Sequence, residues 1–290
     1  MEPLPPIDVP ALLRRSGLRP DKSLGQNFLI DQAALERVAA AAELGPGDTV
    51  LEIGPGLGSL TRLLAQRAGR VTAVELDGDL LAPLGETLAG FENVRLVQGD
   101  ILALDPAALA AGDGGELAAY VVVANIPYYI TSAVVRQLLE CRRPPQRIVL
   151  TMQREVAERI CAGPGEMSLL AVSVQVYGQP RIAARIPAGA FYPPPKVDSA
   201  VIRVDRFERP QAPVELLPAF FQLARAGFSQ KRKTLRNSLA GGLGWPAERA
   251  GALLAAAGID AQRRAETLSV EEWTRLAGSL ELLSQMRNGS

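Results

Sequence analysis

Between residues 48 and 160 the sequence alternates apolar runs with amphipathic segments, and this alternation is the strongest constraint on the fold. Five runs have the composition of buried strands: DTVLEIG, RVTAVELD, NVRLVQGD, AAYVVVAN and RIVLTMQ. Strands separated by helical patterns of about ten residues predict an α/β fold with a doubly wound, Rossmann-like and mostly parallel sheet. Further along, SLLAVSVQVYG and SAVIRVDRFE also look like strands. With no long helix between them, we expect an antiparallel hairpin at the sheet edge.

The pattern changes after the proline-rich stretch FERPQAPVELLP, where every remaining segment has helical spacing. We therefore place a domain boundary near Phe207, with a large domain over 1–206 and a small all-helical domain over 207–290. The charge is also uneven, because residues 206–290 hold 12 basic side chains against 8 acids while the whole chain is neutral. On charge alone, such a domain could equally contact a nucleic acid or present a solvated basic surface.

The residue types exclude several classes of protein. The chain has no histidine, which argues against a Ser-His-Asp hydrolase and against a zinc site, so we expect no metal. Two cysteines, Cys141 and Cys161, are too few for a disulfide framework. No apolar run is long enough to cross a membrane, and the N-terminus lacks an apolar signal core, so we expect a cytoplasmic protein.

A glycine loop follows the first predicted strand, in the sequence Glu52-Ile53-Gly54-Pro55-Gly56-Leu57-Gly58. Glycines at such a junction let a ligand approach the backbone. The spacing is not that of the G-x-G-x-x-G dinucleotide motif, and the carboxylate of Glu52 would repel a pyrophosphate but attract a cation. The alternative is a bare turn without a ligand.

Two more acids end the next predicted strands. Glu75 ends the second strand, where a carboxylate commonly accepts hydrogen bonds from ribose hydroxyls. Asp100 ends the third strand, where it could meet the amine of an adenine. Each acid alone could be a helix cap or a loop residue. Together with Glu52 they describe a nucleoside pocket with a positive charge and no phosphates, which fits S-adenosylmethionine better than NAD.

The fourth strand runs into Asn125-Ile126-Pro127-Tyr128, which resembles the motif of amino-group methyltransferases. The Asn125 side-chain oxygen and the Ile126 carbonyl can each accept a hydrogen of an adenine amine, which aims the nitrogen lone pair at the methyl donor. Pro127 stiffens the turn, and Tyr128 can stack on an unstacked base. Alternatively, Asn125 caps the helix that begins near Thr131, and Tyr128 packs in the core.

Four stretches together resemble the rRNA adenine dimethyltransferase family: KSLGQNFLID, NIPYYITS, TMQREVAERI and FYPPPKVDSAVIRV, in family order between about residues 19 and 275. The resemblance implies that Asn27 and Leu29 cover the cofactor and that Phe191 faces Tyr128 across the target adenine. Otherwise Phe191 is a core residue. The cofactor site that we predict consists of Gln26, Asn27, Leu29, Glu52, Gly54, Gly56, Gly58, Glu75, Leu76, Asp100, Ile101 and Asn125.

For the partner, the resemblance implies 16S rRNA in the small ribosomal subunit or its precursor, methylated at the N6 amines of two adjacent adenosines near the 3′ end. The predicted RNA contacts are Lys196, Arg225, Lys231, Arg232, Lys233 and Arg236, and the last five lie in a stretch without acids. A solvated helix face is the alternative for that stretch. We expect a monomer.

Other functions remain open at this point. A relative that methylates large-subunit rRNA and confers macrolide resistance would use the same motif. Two further alternatives are a non-catalytic RNA-binding relative and a DNA adenine methyltransferase.

Overall fold

The computed structural model describes residues 4–112 and 119–288. The chain forms two compact units. The first comprises the residues up to Ala157 together with Pro180–Arg206, and the second comprises Glu158–Gln179 together with the residues from Phe207 onward. The sequence pattern predicted that residues 158–179 belong with the sheet, whereas in the structure they belong to the compact unit of the C-terminal helices.

The strands within the described residues are β1 Phe28–Leu29, β2 Thr49–Ile53, β3 Arg70–Glu75, β4 Val94–Gln98, β5 Val121–Asn125, β6 Arg147–Gln153, β7 Gly178–Ile186, β8 Phe191–Tyr192 and β9 Ser199–Arg206. Seven of them form one sheet in the order β4-β3-β2-β5-β6-β9-β7. Neighbours from β4 to β6 are parallel, and β9 is antiparallel to β6. The predicted fold class, a mostly parallel sheet with an antiparallel edge, is confirmed.

The α-helices are α1 Val9–Arg15, α2 Gln32–Ala41, α3 Ser59–Ala65, α4 Leu81–Leu88, α5 Pro106–Ala111, α6 Thr131–Glu140, α7 Arg154–Ile160, α8 Leu169–Gln175, α9 Leu217–Phe228, α10 Leu235–Leu243, α11 Ala247–Ala256 and α12 Val270–Asn288. None of these helices is long and apolar enough to cross a membrane.

The central strands are buried on both faces. Val50 and Leu51 in β2 are fully buried, as are Val122 and Val123 in β5. Consecutive residues of a strand point to opposite faces, so both faces are covered. This burial explains why these strands are continuous apolar runs in the sequence, and it holds their carboxyl ends in a fixed arrangement.

A two-stranded ribbon lies apart from the main sheet. β1 pairs with β8 in antiparallel register, with Phe28 opposite Tyr192 and Leu29 opposite Phe191. The partners are more than 160 residues apart in the chain. The ribbon joins the N-terminal segment to the segment that follows β7, and local sequence patterns carry no signal for such a pairing.

The prediction of a strand for SLLAVSVQVYG was wrong, because most of this segment is helix α8. Ser168 caps the helix by accepting a hydrogen bond from the Ala171 backbone N–H at 3.1 Å. Val172 and Val176, one helical turn apart, are buried in a core that also contains Phe220. The alternating valines suggested a strand, but burial of one helical face overrides their β propensity. The edge strand is instead β7, which begins at Gly178.

The helices of the second unit pack around aromatic side chains. Phe220 of α9 and Trp273 of α12 are fully buried. A Cβ atom on Gly227 would lie 2.4 Å from a ring carbon of Trp273, so α9 can approach α12 this closely only with glycine there. The predicted helical character of the C-terminal segment is therefore confirmed by a well-packed core.

Candidate active site

The carboxyl ends of β2, β3, β4 and β5 open into one cleft of the first unit. This is where open parallel sheets bind ligands. Most of the residues predicted from the sequence line this cleft: Gln26, Asn27, Leu29, Glu52, Gly54, Gly56, Glu75, Leu76, Asp100, Ile101, Asn125, Ile126, Pro127, Tyr128 and Phe191. The structure therefore brings together the glycine loop, the three acids and the Asn-Ile-Pro-Tyr segment.

Gly58 was predicted to bind the cofactor, but it does not line the cleft. It precedes α3 with φ +87°, and a Cβ atom there would lie 3.1 Å from Leu84 and 3.2 Å from Thr87. The glycine is thus required for the backbone turn and for close packing against α4. The other two glycines of the loop, Gly54 and Gly56, also have positive φ and do line the cleft.

Glu75 is held rigidly by the backbone. One carboxylate oxygen accepts from the Gly56 N–H at 3.0 Å, and the other accepts from the Asp77 N–H at 2.9 Å. Burial raises the pKa of Glu75, and these backbone bonds oppose the rise. Because an ionised carboxylate offers about four acceptor positions, Glu75 keeps acceptor capacity for a ligand's hydroxyl groups.

Glu52 is the most unusual acid of the cleft. It is 1% exposed, and its Oε2 atom has no hydrogen-bond partner among the described residues. Burial raises the pKa of Glu52 to about 8; the neighbouring Thr61 side chain opposes this rise, and the nearby charge of Glu75 adds to it. A buried carboxyl oxygen without a partner is rare and costly. A cationic group in the cleft would supply the missing partner and favour the ionised form.

Asp100 lies at the exposed rim of the cleft, after β4. One of its side-chain oxygens accepts from the Leu102 N–H at 2.9 Å and caps a short 3₁₀ turn at Ile101–Ala103. The Gln137 amide of α6 donates to the carbonyls of Ile101 and Leu104. Because α6 follows the Asn-Ile-Pro-Tyr segment, Gln137 connects the Asp100 turn to that segment.

Asn125, the last residue of β5, has a defined amide orientation. Its Nδ2 donates to the Asn27 backbone carbonyl at 3.2 Å. Since a carbonyl oxygen can only accept, Nδ2 must point toward Asn27, and Oδ1 is left as a free acceptor. Oδ1 has no hydrogen bond within the described part of the chain. The alternative in which Asn125 caps α6 is wrong, because that helix has no side-chain cap at its N-terminus.

Tyr128 is oriented by a residue that the sequence motifs did not reveal. Its hydroxyl shares a 2.7 Å hydrogen bond with the Ser199 hydroxyl, which is fully buried at the start of β9. Partial burial raises the pKa of Tyr128. The stretch FYPPPKVDSAVIRV contains Ser199, but no sequence signal pairs it with a tyrosine 71 residues away.

Phe191 lies between the hydrophobic core and the cleft. It is 3% exposed and belongs to the core beneath the sheet, yet it also lines the cleft. The alternative of a core residue is therefore correct as far as packing goes, and Phe191 still forms part of the cleft wall together with Tyr128.

Residues 21–29, which we call the strap, close one side of the cleft. The Gln26 amide donates to the Asp77 carboxylate at 2.6 Å and accepts from the Asp21 N–H at 2.7 Å. Gln26 thus uses its side chain within the protein, tying the strap to the loop after β3. The strap also supplies the Asn27 carbonyl that orients Asn125.

The six residues predicted to contact RNA are all exposed, namely Lys196 in the first unit and Arg225, Lys231, Arg232, Lys233 and Arg236 in the second. Residues 231–233, which we call the basic turn, connect α9 to α10 instead of lying on a helix face. No cluster of metal-ligating side chains occurs within residues 4–112 and 119–288.

Comparisons with known proteins agree with this geometry. Residues 17–282 match the family model described as "Ribosomal RNA adenine dimethylase". The "Ribosomal RNA small subunit methyltransferase A" of Dehalococcoides mccartyi is 50% identical over 89% of this chain and 88% of its own length. The protein of the same name from Moorella thermoacetica is 48% identical over 93% of this chain and 96% of its own length.

Two solved structures resemble most of this chain. The 23S rRNA methyltransferase ErmE has a TM-score of 0.68 and 31% identity, covering 88% of this chain and 100% of its own. A dimethyladenosine transferase from Plasmodium falciparum has a TM-score of 0.72 and 24% identity, covering 90% of this chain and 98% of its own. The second likeness, at this identity, concerns the fold alone.

Proposed function

This chain belongs to the ribosomal RNA adenine dimethylase family, and from that premise we propose that it transfers methyl groups from S-adenosylmethionine to the N6 amines of two adjacent adenosines near the 3′ end of 16S rRNA. The substrate would be the small ribosomal subunit or its precursor, in the cytoplasm, with the protein acting as a monomer. The observation that carries the proposal is the meeting of the three acids and Asn125 in one cleft.

The choice of small-subunit RNA rests on the relatives. Proteins named as small-subunit methyltransferases are 48–50% identical over about nine-tenths of the chain, whereas the large-subunit enzyme ErmE is 31% identical. The acids and the Asn-Ile-Pro-Tyr segment are all present, which favours an active enzyme over a non-catalytic RNA-binding relative.

The cleft fits S-adenosylmethionine on two observations. The buried carboxyl of Glu52, whose Oε2 atom has no hydrogen-bond partner among the described residues, suits a ligand with positive charge. Gly54, where a Cβ atom would meet only the Asn125 carbonyl at 3.7 Å, leaves the backbone open to that ligand. Glu75 would hold the ribose hydroxyls and Asp100 the adenine amine, while Glu52 and the glycine loop would hold the methionine end. When bound, the cofactor supplies a methyl group on a sulfonium, which is already activated for transfer.

The protein then has to position the amine. The free Oδ1 of Asn125 would accept one N6 hydrogen, and the Ile126 carbonyl would accept the other. For the first transfer, these two acceptors would turn the lone pair of the nitrogen out of conjugation with the ring and toward the donor methyl. The monomethylated amine has one hydrogen left, so one of the two acceptors would hold it for the second transfer. No strong base is needed, so positioning and electrostatics carry the catalysis, which suits a chain without histidine.

The target base must leave its stack to reach the cleft. Tyr128, oriented by Ser199, and Phe191 would hold the adenine between them. The basic turn and its neighbours Arg225 and Arg236 would contact the RNA backbone and position the folded substrate, together with Lys196.

The test is transfer of labelled methyl to under-methylated small and large ribosomal subunits, followed by mass spectrometry of the RNA. We expect dimethyladenosine in an adjacent pair near the 3′ end of 16S rRNA. Label in the large subunit alone would assign the chain to the ErmE-like activity. If neither subunit is labelled although the cofactor binds, the proposed substrate is wrong.

A further inference from the structure

Tyr129 has no role in the mechanism above, although it lines the same cleft as Tyr128. The two tyrosines share one 3₁₀ turn, Tyr128–Ile130, after Pro127. They differ in environment, because Tyr128 is half-buried with a bonded hydroxyl whereas Tyr129 is 64% exposed. No hydrogen bond of its hydroxyl is present within the described residues. An aromatic ring this exposed at the rim of a binding cleft is available for a partner.

The ring of Tyr129 is supported from the strap side. Gly25 has φ +64°, and a Cβ atom there would lie 3.4 Å from a ring carbon of Tyr129 and 3.1 Å from Pro127. The ring edge thus rests against a glycine backbone, and the turn beneath it is stiffened by proline. A supported ring loses little side-chain entropy when a base stacks on it, so it suits a stacking surface.

The covalent structure of the proposed substrate indicates which group contacts the ring of Tyr129. This step rests on the proposed function, in which two adjacent adenosines are modified. When one adenosine occupies the pocket formed by Tyr128 and Phe191, its neighbour is only one phosphodiester away. Tyr129, adjacent to Tyr128 in the chain, is the exposed aromatic side chain of the described cleft within reach of that neighbour.

We propose that Tyr129 is the stacking platform for the base next to the target adenosine and thereby favours a pair of adjacent purines. Lys22 is exposed, and its backbone carbonyl accepts the Gly25 N–H at 3.2 Å, so it belongs to the same turn as the glycine that supports the ring. Its cationic side chain would contact the phosphate that joins the two nucleotides. A purine stacks over a larger area than a pyrimidine, so the platform distinguishes the two base classes.

The experiment compares Tyr129→Ala, Tyr129→Leu and Tyr129→Phe with the unmodified chain on under-methylated small subunits. Tyr129→Phe keeps the aromatic ring, whereas Tyr129→Leu keeps a bulky apolar side chain without a ring. We expect kcat/KM for the RNA to fall at least about five-fold in Tyr129→Ala and nearly as much in Tyr129→Leu. Tyr129→Phe should retain most of the kcat/KM of the unmodified chain. The Kd for S-adenosylmethionine and the Tm should stay the same in all three. Equal kcat/KM for Ala and the unmodified chain would overturn the proposal. So would a rise in the cofactor Kd that accounts for the loss, since Tyr129 would then act by holding the strap.

A second substrate makes the test specific for stacking. Small subunits in which the adenosine next to the monitored target is replaced by uridine should be poorer substrates for the unmodified chain. The same replacement should cost Tyr129→Ala little or nothing, because its platform is already gone. Equal penalties in both proteins would overturn the proposal. If the unmodified chain does not methylate small subunits at all, the proposed function fails instead, which is a different result.

Discussion

Replacing Glu52 by glutamine should stabilise the cofactor-free protein at high pH while weakening cofactor binding. Glu52 is 1% exposed, and burial raises its pKa from 4.5 to about 8. Because the folded pKa is the higher one, the folded protein holds this proton more tightly than the unfolded chain does. The contribution of Glu52 to stability is therefore fully present below pH 4.5 and is lost as the pH rises toward 8. Glutamine has the same shape and cannot ionise, so Glu52→Gln avoids that loss.

The size of the effect follows from the two pKa values. A rise from 4.5 to about 8 corresponds to about 5 kcal/mol between the protonation states once both are fully expressed. At about pH 5, half a pH unit above 4.5, most of the Glu52 side chains in the unfolded chain are ionised while those in the folded protein are still protonated, so Glu52→Gln should be more stable than the unmodified chain by about 1 kcal/mol. At about pH 9 the difference should approach about 5 kcal/mol, which is a gain of about 4 kcal/mol over this pH range.

Urea denaturation of the cofactor-free proteins at about pH 5 and about pH 9 measures this difference. The matched control is Glu92→Gln, which removes an exposed carboxylate outside the cleft and should give parallel curves. If Glu52→Gln also parallels the unmodified chain to within about 1 kcal/mol, Glu52 is not desolvated and the reasoning fails. Calorimetry provides a second measurement, because S-adenosylmethionine should displace a proton from Glu52 near neutral pH in the unmodified chain and not in Glu52→Gln.

Three other changes separate the remaining parts of the site. Asn125→Ala should fold and bind cofactor but lose methyl transfer on the order of a hundred-fold, since it removes the positioning acceptor; near-normal turnover would contradict that role. Ser199→Ala and Tyr128→Phe each remove one end of the 2.7 Å hydrogen bond, so each should lower kcat by about five-fold, and the double variant should be no worse than either one. If the losses of kcat in the two single variants add up in the double variant, the hydrogen bond does not orient the ring. Changing all three residues of the basic turn to alanine should weaken RNA binding and reduce the salt slope by about 2 to 3, with cofactor binding intact. An unchanged RNA affinity and slope, measured by filter binding at several salt concentrations, would exclude the basic turn from the interface.

The cleft depends on short-range features that the sequence shows directly. The apolar runs predict strands, and parallel strands place their carboxyl ends at one edge, so the residue pattern alone assigns Glu52, Glu75, Asp100 and Asn125 to one site. The glycine loop was also identified, but Gly58, one of its three glycines, does not line the cleft. Its positive φ and its packing against α4 are consequences of tertiary contacts that a motif does not contain.

The alternation of apolar side chains predicted strands less reliably outside the central sheet. In residues 169–175 the valines alternate as in a strand, yet the segment is helix α8 because one helical face is buried among the C-terminal helices. Local propensity differs between strand and helix by less than the free energy of burying such a face, so tertiary packing decides the outcome.

The sequence by itself determined the sheet, the helical C-terminal segment and the acids of the cleft. The first two follow from the local periodicity of apolar residues, and the acids follow from their positions at the ends of strands. Only the tertiary structure decided how these groups are oriented. The β1–β8 ribbon brings Leu29 to Phe191, the Asn27 carbonyl turns the amide of Asn125, and Ser199 fixes the ring of Tyr128. These contacts join residues 71 or more positions apart. Their geometry arises only when the folded chain brings distant backbone and side-chain groups within hydrogen-bond distance, and a pattern with a period of about two or about 3.6 residues cannot encode it.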